Sequence, residues 1–525
     1  MNNVYRKINI PLYVGIAFLA CLILIEFVSI MMLNSGLLVY TLDDPYIHLA
    51  LAENIKQGHY GINISEFSAP SSSALWPFIL APFSSYPYSA FYINVVSAIA
   101  SVIVLVKILN LSIKITDDQT RNIFVSVITI LFILATNVVG LVFTGMEHSL
   151  QLMAVLLIAY GLIIEIEEDK IEWWLLAAII VAPLIRYECM AISFAAIFYL
   201  VMHRRFKQTG IALFFLAVFL GGFSIFLTSL GLDTFPSSVT AKSSVVQSGG
   251  ALGRFVSNLI GSLNNRQGVI LFVGVLVLLF YVFLGKDKIK RKQLAVVTIF
   301  AVFLHFIAGR YGWYNRYEIY ILAFELFVIL YLFLPLINKD VFSFNKINFN
   351  LFAAIAFAGG VTVVIGAPYI YGLYTIPKAS NNIYEQQYQM HRFVVDYYNK
   401  PVAVNDLGYV SYENSNYVLD LWGLGSQKAL RSRLNSDNTN WKQNLIDEAN
   451  VRLVMIYDDW FNDIPDKWIK IGELHLGKKK ITPARSTVSF YSTDKGSYPE
   501  ILSKIILFSK TLPAGVEFKF EKSNS

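Results

Sequence analysis

Apolar runs close to 20 residues long recur through residues 1–374, separated by shorter polar stretches. A run of that length lets a helix cross a hydrocarbon layer roughly 30 Å thick. The runs fall at about 12–33, 88–110, 122–142, 147–164, 172–185, 188–202, 209–230, 268–285, 293–309, 318–337 and 350–372, which predicts about eleven transmembrane helices. Residues 172–185 and 188–202 are short and meet around Arg186, so a broken helix pair is an alternative there. The first run is too long for a signal-peptide core and no A-x-A-like site follows it, so it is expected to remain as the first span. After residue 374 the pattern changes. Strand-like runs at 401–404, 417–420 and 452–457 alternate with helical stretches, as in a small α/β unit.

Charge follows the same division. Asp, Glu, Lys and Arg make up about 11% of residues 1–374 and about 24% of residues 375–525, the latter an ordinary soluble value. The whole chain is 56% apolar and only 15% charged, which excludes a soluble globular enzyme and a disordered protein. Cys21 and Cys189 both lie in apolar runs, so no disulfide framework or zinc-type spacing is present. The net charge of +6 reads as membrane topology and not as nucleic-acid affinity.

The basic residues orient the array. With Arg6 and Lys7 inside, Lys114, Arg121, Lys170, Arg204, Arg205, Lys207, the cluster from Lys286 to Lys292, Lys339 and Lys346 all fall on inner loops. An odd number of spans then puts residues 375–525 outside, giving a multi-pass protein with a cytoplasmic N-terminus and an extracytoplasmic C-terminal domain. The unusual polar clusters all fall on the outer side: Asp43-Asp44, Glu147-His148, Arg186 to Glu188, Lys242, and Arg310 to Arg316. One such residue is usually a snorkelling or capping group. Five clusters on one face point to a polar cavity at the outer membrane boundary.

The first outer loop, 34–87, opens on T-L-D-D-P-Y-I-H-L-A-L-A-E-N-I-K-Q-G. Asp44 as N-cap, Pro45 at the first helical position and Gly58 as a stop predict an amphipathic helix over 45–57 lying along the membrane surface. The Ser- and Pro-rich stretch after it predicts a turn and a short helix near Trp76. Two adjacent carboxylates at an interface raise at least one proton affinity. Asp43 so placed is a candidate general base, with Asp44 as partner or alternative. In the outer domain Asn405, Asp406 and Asp420 end strands, where α/β units often place their sites.

These residues resemble a known family. D-D-P-Y-I-H-L-A-L-A-E-N-I-x-x-G followed by S-S-S-A-L-W is similar to the first loop of GT-C membrane glycosyltransferases, most of all the branch of the mycobacterial terminal arabinofuranosyltransferase. T-G-M-E at 144–147, I-R-Y-E at 185–188, F-P-S-S-V-T-A-K at 235–242, N-R-Y-E at 315–318, N-D-L-G-Y-V-S-Y and V-L-D-L-W-G-L continue it in order, over about residues 40 to 425. Tyr187 stands where that branch usually has Pro, and Ser237 where it often has Asn. The composition is unlike a mycobacterial protein, so arabinose is not carried over as the sugar.

The resemblance implies a bacterial inner-membrane enzyme. It would move a sugar from a polyprenyl-phosphate donor to an envelope glycan, lipid or protein at the outer face, with inversion. No P-loop or G-x-G-x-x-G fingerprint suggests a nucleotide donor. Lys242, Arg186, Arg310 and Arg316 are the expected phosphate ligands. His48, Glu147, His148, Glu188, Tyr311, Asn405 and Asp406 are expected to support substrates. A divalent cation at Asp43, Asp44 and His48 suits hard oxygen chemistry, but too few ligands are visible to assign a metal site. The alternatives are a transporter or flippase for a lipid-linked glycan, or a non-catalytic scaffold with the same fold.

Overall fold

The computed structural model describes residues 9–113, 115, 117–238, 251–285, 289–336, 347–434, 440–461 and 463–522. Eight described helices are long and apolar enough to cross a membrane: Ile10–Leu33, Ser89–Ser112, Asp118–Ala135, His148–Glu168, Phe206–Ser229, Arg266–Leu284, Ile289–Ala308 and the long stretch Ile355–Tyr398. The other expected spans coincide with three shorter apolar helices, Trp173–Ile185, Tyr187–Met202 and Ile319–Phe333. The break between the first two of these falls at Arg186, whose backbone is extended (φ −152°, ψ 130°). Of the basic residues expected to orient the array, Arg6, Lys7, Lys114, Lys286, Lys288, Lys339 and Lys346 lie outside the described residues.

The helix Ile347–Glu385 carries the chain past position 374 and continues into the C-terminal unit. Its far end is bound to the end of the first span. Ser380 Oγ donates to the Val39 carbonyl (2.5 Å), and Asn34 Nδ2 donates to Ser380 Oγ (2.9 Å). Beyond it stands a six-stranded mixed sheet, with β1 Val402–Val404, β2 Val418–Asp420, β3 Leu453–Ile456, β4 Ile469–His475, β5 Thr487–Ser492 and β6 Glu517–Phe520. The order is β2-β1-β3-β5-β4-β6. β1, β2 and β3 run parallel and occupy the three expected strand runs, while β4 to β6 add an antiparallel half. Parallel strands end together, so Asp420, which closes β2, and Asp406 and Tyr457, which follow β1 and β3, all lie at C-terminal ends on one edge.

The first-loop helix, Asp44–Lys56, corrects one expectation. It is not a half-immersed surface helix, because Tyr46 through Ala52 are all buried. It is covered by the short helix Trp76–Leu80 of the same loop and by the short helix Gly408–Ser411, where the Tyr46 and Tyr409 rings lie 3.8 Å apart. Gly58 stops it with φ +82°, as expected. Asp44 is its first residue and not its N-cap; Asp43 holds the cap position, and its side chain makes no cap bond. Downstream, Ser73 Oγ accepts from Trp76 N (2.9 Å) and starts the short helix Trp76–Leu80.

Candidate functional site

The two aspartates point to different partners. Asp43 turns to the C-terminal unit, where Oδ2 accepts from Gly408 N (2.7 Å) and Oδ1 from Tyr409 N (2.8 Å). The approach is close enough that only glycine fits at 408: a Cβ there would stand 2.1 Å from the Asp43 carbonyl oxygen. Burial pushes the Asp43 carboxyl well above the usual carboxylate range, and the neighbouring Asp406 and Asp44 charges add to this. Asp406 is raised too, first by burial. Its Oδ2 accepts from Gln387 Nε2 (2.7 Å) and from the Tyr457 hydroxyl (2.9 Å). Asn405 Oδ1 accepts from Tyr457 N (2.7 Å), holding the Tyr457 backbone beside Asp406. Asp420 instead accepts from the Trp422 and Gly425 amides (both 2.8 Å) and serves its own turn.

Asp44 turns to the bundle and pairs with Arg316 (Nη2 to Oδ2, 2.5 Å). Arg316 is only 1% exposed, and its Nε and Nη1 have no hydrogen-bond partner among the described residues. Its backbone setting is unusual. Gly312, Trp313, Tyr314 and Asn315 all have positive φ, between +45° and +74°. Each non-glycine residue there costs about 1–2 kcal/mol, so the turn must be held from outside. Asn137 Nδ2 donates to the Asn315 carbonyl (2.7 Å), and Glu318 accepts from Gly312 N (2.8 Å) and the Tyr369 hydroxyl (3.0 Å). Strain clamped in this way is commonest at functional positions.

A second arginine completes the cluster. Arg186 grips Glu188 through Nε (3.1 Å) and Nη2 (2.7 Å), and donates from Nη1 to Glu147 (2.8 Å) and Ser72 (3.2 Å). The Tyr317 ring lies between the two guanidinium groups, 5.5 Å from Arg186 and 5.1 Å from Arg316. His148 packs on the same ring at 6.2 Å. His48 reaches Ser71 Oγ through Nδ1 (3.1 Å) and lies 3.7 Å from Glu147 Oε2.

Asp43, Asp44, His48, Glu147, His148, Arg186, Glu188, Arg316, Asn405 and Asp406 thus belong to one connected region. Arg310 and Tyr311 do not join it through any described contact. The Tyr311 ring instead packs edge-on against His305 at 5.1 Å. Lys242 lies outside the described residues. The segment leading toward it is stitched beside His48, with Ser238 Oγ donating to the Ser71 carbonyl (2.8 Å) and Ser237 N to the Ala69 carbonyl (3.0 Å). Among the described residues no group of three or more His, Cys, Asp or Glu could hold a metal ion.

Sequence reasoning missed Tyr317, Ser72, Gln387, Tyr457 and the Gly408-Tyr409 amides as members of the site. Tyr317 stands beside Tyr311, Trp313 and Tyr314 in the sequence, so nothing local singles it out. The adjacent Gln386-Gln387 at the end of an apolar helix was a usable signal.

A family model described as "Domain of unknown function (DUF8728)" matches residues 381–491. No curated protein matches the sequence. Among solved structures the chain is similar to ArnT from Cupriavidus metallidurans bound to undecaprenyl phosphate, at 10% identity over 91% of this chain and 98% of that one, with a TM-score of 0.49. It is similar also to the oligosaccharyltransferase AglB from Archaeoglobus fulgidus in complex with an inhibitory peptide and a dolichol-phosphate, at 10% identity over 96% and 76%, with a TM-score of 0.44. The apo form of the Archaeoglobus fulgidus oligosaccharyltransferase gives 12% identity over 86% and 70%, with a TM-score of 0.42.

Proposed function

We propose that this chain is a GT-C-type membrane glycosyltransferase that moves a sugar from a polyprenyl-phosphate donor to an envelope acceptor at the outer face of the cytoplasmic membrane. The observation that carries this reading is Arg316: a buried guanidinium whose Nε and Nη1 find no protein partner among the described residues, beside two carboxylates and a second arginine. A buried donor left unsatisfied by the protein is costly unless a ligand uses it, and a planar guanidinium matches phosphate oxygens two at a time.

In this mechanism the acceptor hydroxyl attacks the anomeric carbon on the face opposite the phosphate. The C–O bond to the acceptor forms as the bond to the phosphate oxygen breaks, inverting the centre. Asp43 takes the hydroxyl proton. Its raised proton affinity suits a base working near neutrality, and the two amides that hold it occupy two of its roughly four lone-pair sites. Asp44 holds Arg316 in place. Arg316, with Arg186 behind the Tyr317 ring, receives the charge that develops on the leaving polyprenyl phosphate. Lys242 keeps its assignment as a phosphate ligand from the motif at 235–242.

Transfer of radiolabelled sugar from total polyprenyl-linked donors in membranes tests the reading. The parent is expected to transfer and the Asp43→Asn variant to fail. Equal transfer by both removes Asp43 from the chemistry. Movement of an intact lipid-linked glycan across the membrane, with no sugar transferred by either form, establishes the transporter instead.

A further inference from the structure

Three helices leave a gap on the flank of the bundle. Asp118–Ala135 packs on Ile10–Leu33 and Ile347–Glu385, whereas Ile319–Phe333 packs on His148–Glu168 and Ile289–Ala308. The groove between the two groups holds about 290 Å³. Phe132 and Ala135 line it from the first helix, Leu330 from Ile319–Phe333, and Ala358 and Ile365 from Ile347–Glu385. Thr362 is the one polar lining residue among those described. Phe357 and Val361 are exposed at its edge, so it opens sideways. Its helices are long or apolar enough to lie at membrane depth. Hydrocarbon fills an apolar groove there, because water finds too few polar partners.

The end nearest Arg316 is closed. Asp118–Ala135 and Ile347–Glu385 meet at Gly366, where a Cβ would stand 3.0 Å from both Ala135 Cα and the Leu134 carbonyl oxygen. Past that contact, Asn137 Nδ2 donates to the Asn315 carbonyl (2.7 Å) and Asn315 Nδ2 to the Pro368 carbonyl (3.3 Å). A chain lying in the groove therefore stops below the left-handed turn and does not continue to Arg316. This disfavours the carrier lipid as occupant and favours a lipid of the surrounding bilayer. The groove walls at Ala135 and Ile365 stand just before Asn137 and Pro368, the residues bonded to that turn.

A cation stands at the rim. Arg266 Nη2 donates to the carbonyl of Val364, a residue that lies between Thr362 and Ile365 in the chain (2.8 Å). Arg266 is exposed, and among the described residues no carboxylate pairs with it. An apolar groove below an unneutralised arginine matches a lipid with an anionic headgroup.

We propose that this groove binds one acyl chain of an anionic phospholipid of the surrounding bilayer, with its phosphate at Arg266, and that its occupation steadies the turn carrying Arg316. The effect on catalysis rests on the role given to Arg316 above; the lipid site itself does not.

The test uses the purified full chain in phosphatidylcholine nanodiscs. They contain a trace of phosphatidylglycerol or phosphatidylcholine with a photoreactive group midway along one acyl chain, and labelled residues are read by mass spectrometry. Parent, Arg266→Gln and Ala358→Phe are compared, each first shown to be monodisperse. In the parent the phosphatidylglycerol probe is expected to label the groove about fivefold more than the phosphatidylcholine probe. Arg266→Gln should label equally with both, and Ale358→Phe, which fills the groove, should lose the labelling. Adding phosphatidylglycerol to the bilayer should raise sugar transfer by the parent and not by Arg266→Gln. The site is overturned if the parent labels equally with both probes, if Ala358→Phe is labelled as the parent is, or if unlabelled polyprenyl phosphate displaces the probe, which would make the groove the carrier's. Transfer by the parent that is the same in both bilayers overturns the link to Arg316. Groove labelling as expected with no sugar transfer by any form would uphold the lipid site and reject the glycosyltransferase reading.

Discussion

Two charge networks sit in this molecule at different sequence positions, and they differ in wetness. In the first, Glu165 accepts from the Tyr199 hydroxyl (2.7 Å), Arg205 (2.9 Å) and Lys290 (3.0 Å), and both cations also reach Asp169. Its cations are 27% exposed and Asp169 is 73% exposed. In the second, Arg316 is paired to Asp44 and Arg186 to Glu147 and Glu188, with Arg316 at 1% and Glu147 at 0% exposure. Water reaches the cations and Asp169 of the first network, although Glu165 itself is fully buried, so its Asp169 pairs are the weak ones. The second is drier at its cations, with Arg186 at 6% and Arg316 at 1% exposure, so an unmatched donor there carries more weight. Formal charge is similar in the two. Arg205 too has an Nε unmatched among the described residues, so what separates the two networks is the burial of the guanidinium, 27% exposed for Arg205 and 1% for Arg316.

The difference predicts a graded set of outcomes. Asp43→Asn is expected to have the largest effect, a loss of about 10² to 10⁴ in transfer rate, as for removal of a general base. Next is Gly408→Ala: its Cβ would push the 408–409 loop off Asp43, and a misplacement of that kind costs about 10²-fold. Spans unaffected by the change should leave the protein monodisperse in detergent, so the loss should appear in rate and not in yield. Arg186→Lys keeps the charge but loses the two-pronged hold on Glu188, and should slow transfer by about tenfold. Arg205→Ala, in the wet network, should leave transfer within about twofold of the parent.

A pH profile sharpens the same contrast. Asp43 must be ionised to accept a proton, and its raised proton affinity places the rising limb of activity above the ordinary carboxylate range. Activity should be low below that limb and gained as pH rises through it. Removing the Asp406 charge by Asp406→Asn relieves a repulsion on ionised Asp43 and should move the limb to lower pH. An unmoved limb would separate Asp406 from the base.

Much of the second network was legible in the sequence, because rarity is informative in an apolar chain. Asp43, Asp44, Glu147, Arg186, Glu188 and Arg316 stood out as charges at the ends of long apolar runs. The first three strands were legible for the same reason: β-branched runs such as V-A-V and L-V-M-I contrast with the polar stretches around them. The partnerships were not legible. Nothing local tells that Asp43 is held by amides 365 residues away, or that Asp44 pairs with Arg316 and does not cap its helix. Arg310 and Arg316 looked equivalent, and only the left-handed turn at 312–315 separates them. The Asp44–Lys56 helix read as amphipathic because burial by a second domain cannot be inferred from one helix's own periodicity.

The central claim is that Arg316 receives the phosphate of a lipid carrier. It is tested most directly by equilibrium binding of polyprenyl phosphate to the purified chain in nanodiscs, comparing parent, Arg316→Ala and Arg205→Ala. Loss of charge-assisted bonds worth about 1.5–3 kcal/mol each predicts binding weaker by about tenfold or more for Arg316→Ala, with Arg205→Ala unchanged. Equal binding by parent and Arg316→Ala, or a larger loss at Arg205, would contradict the account.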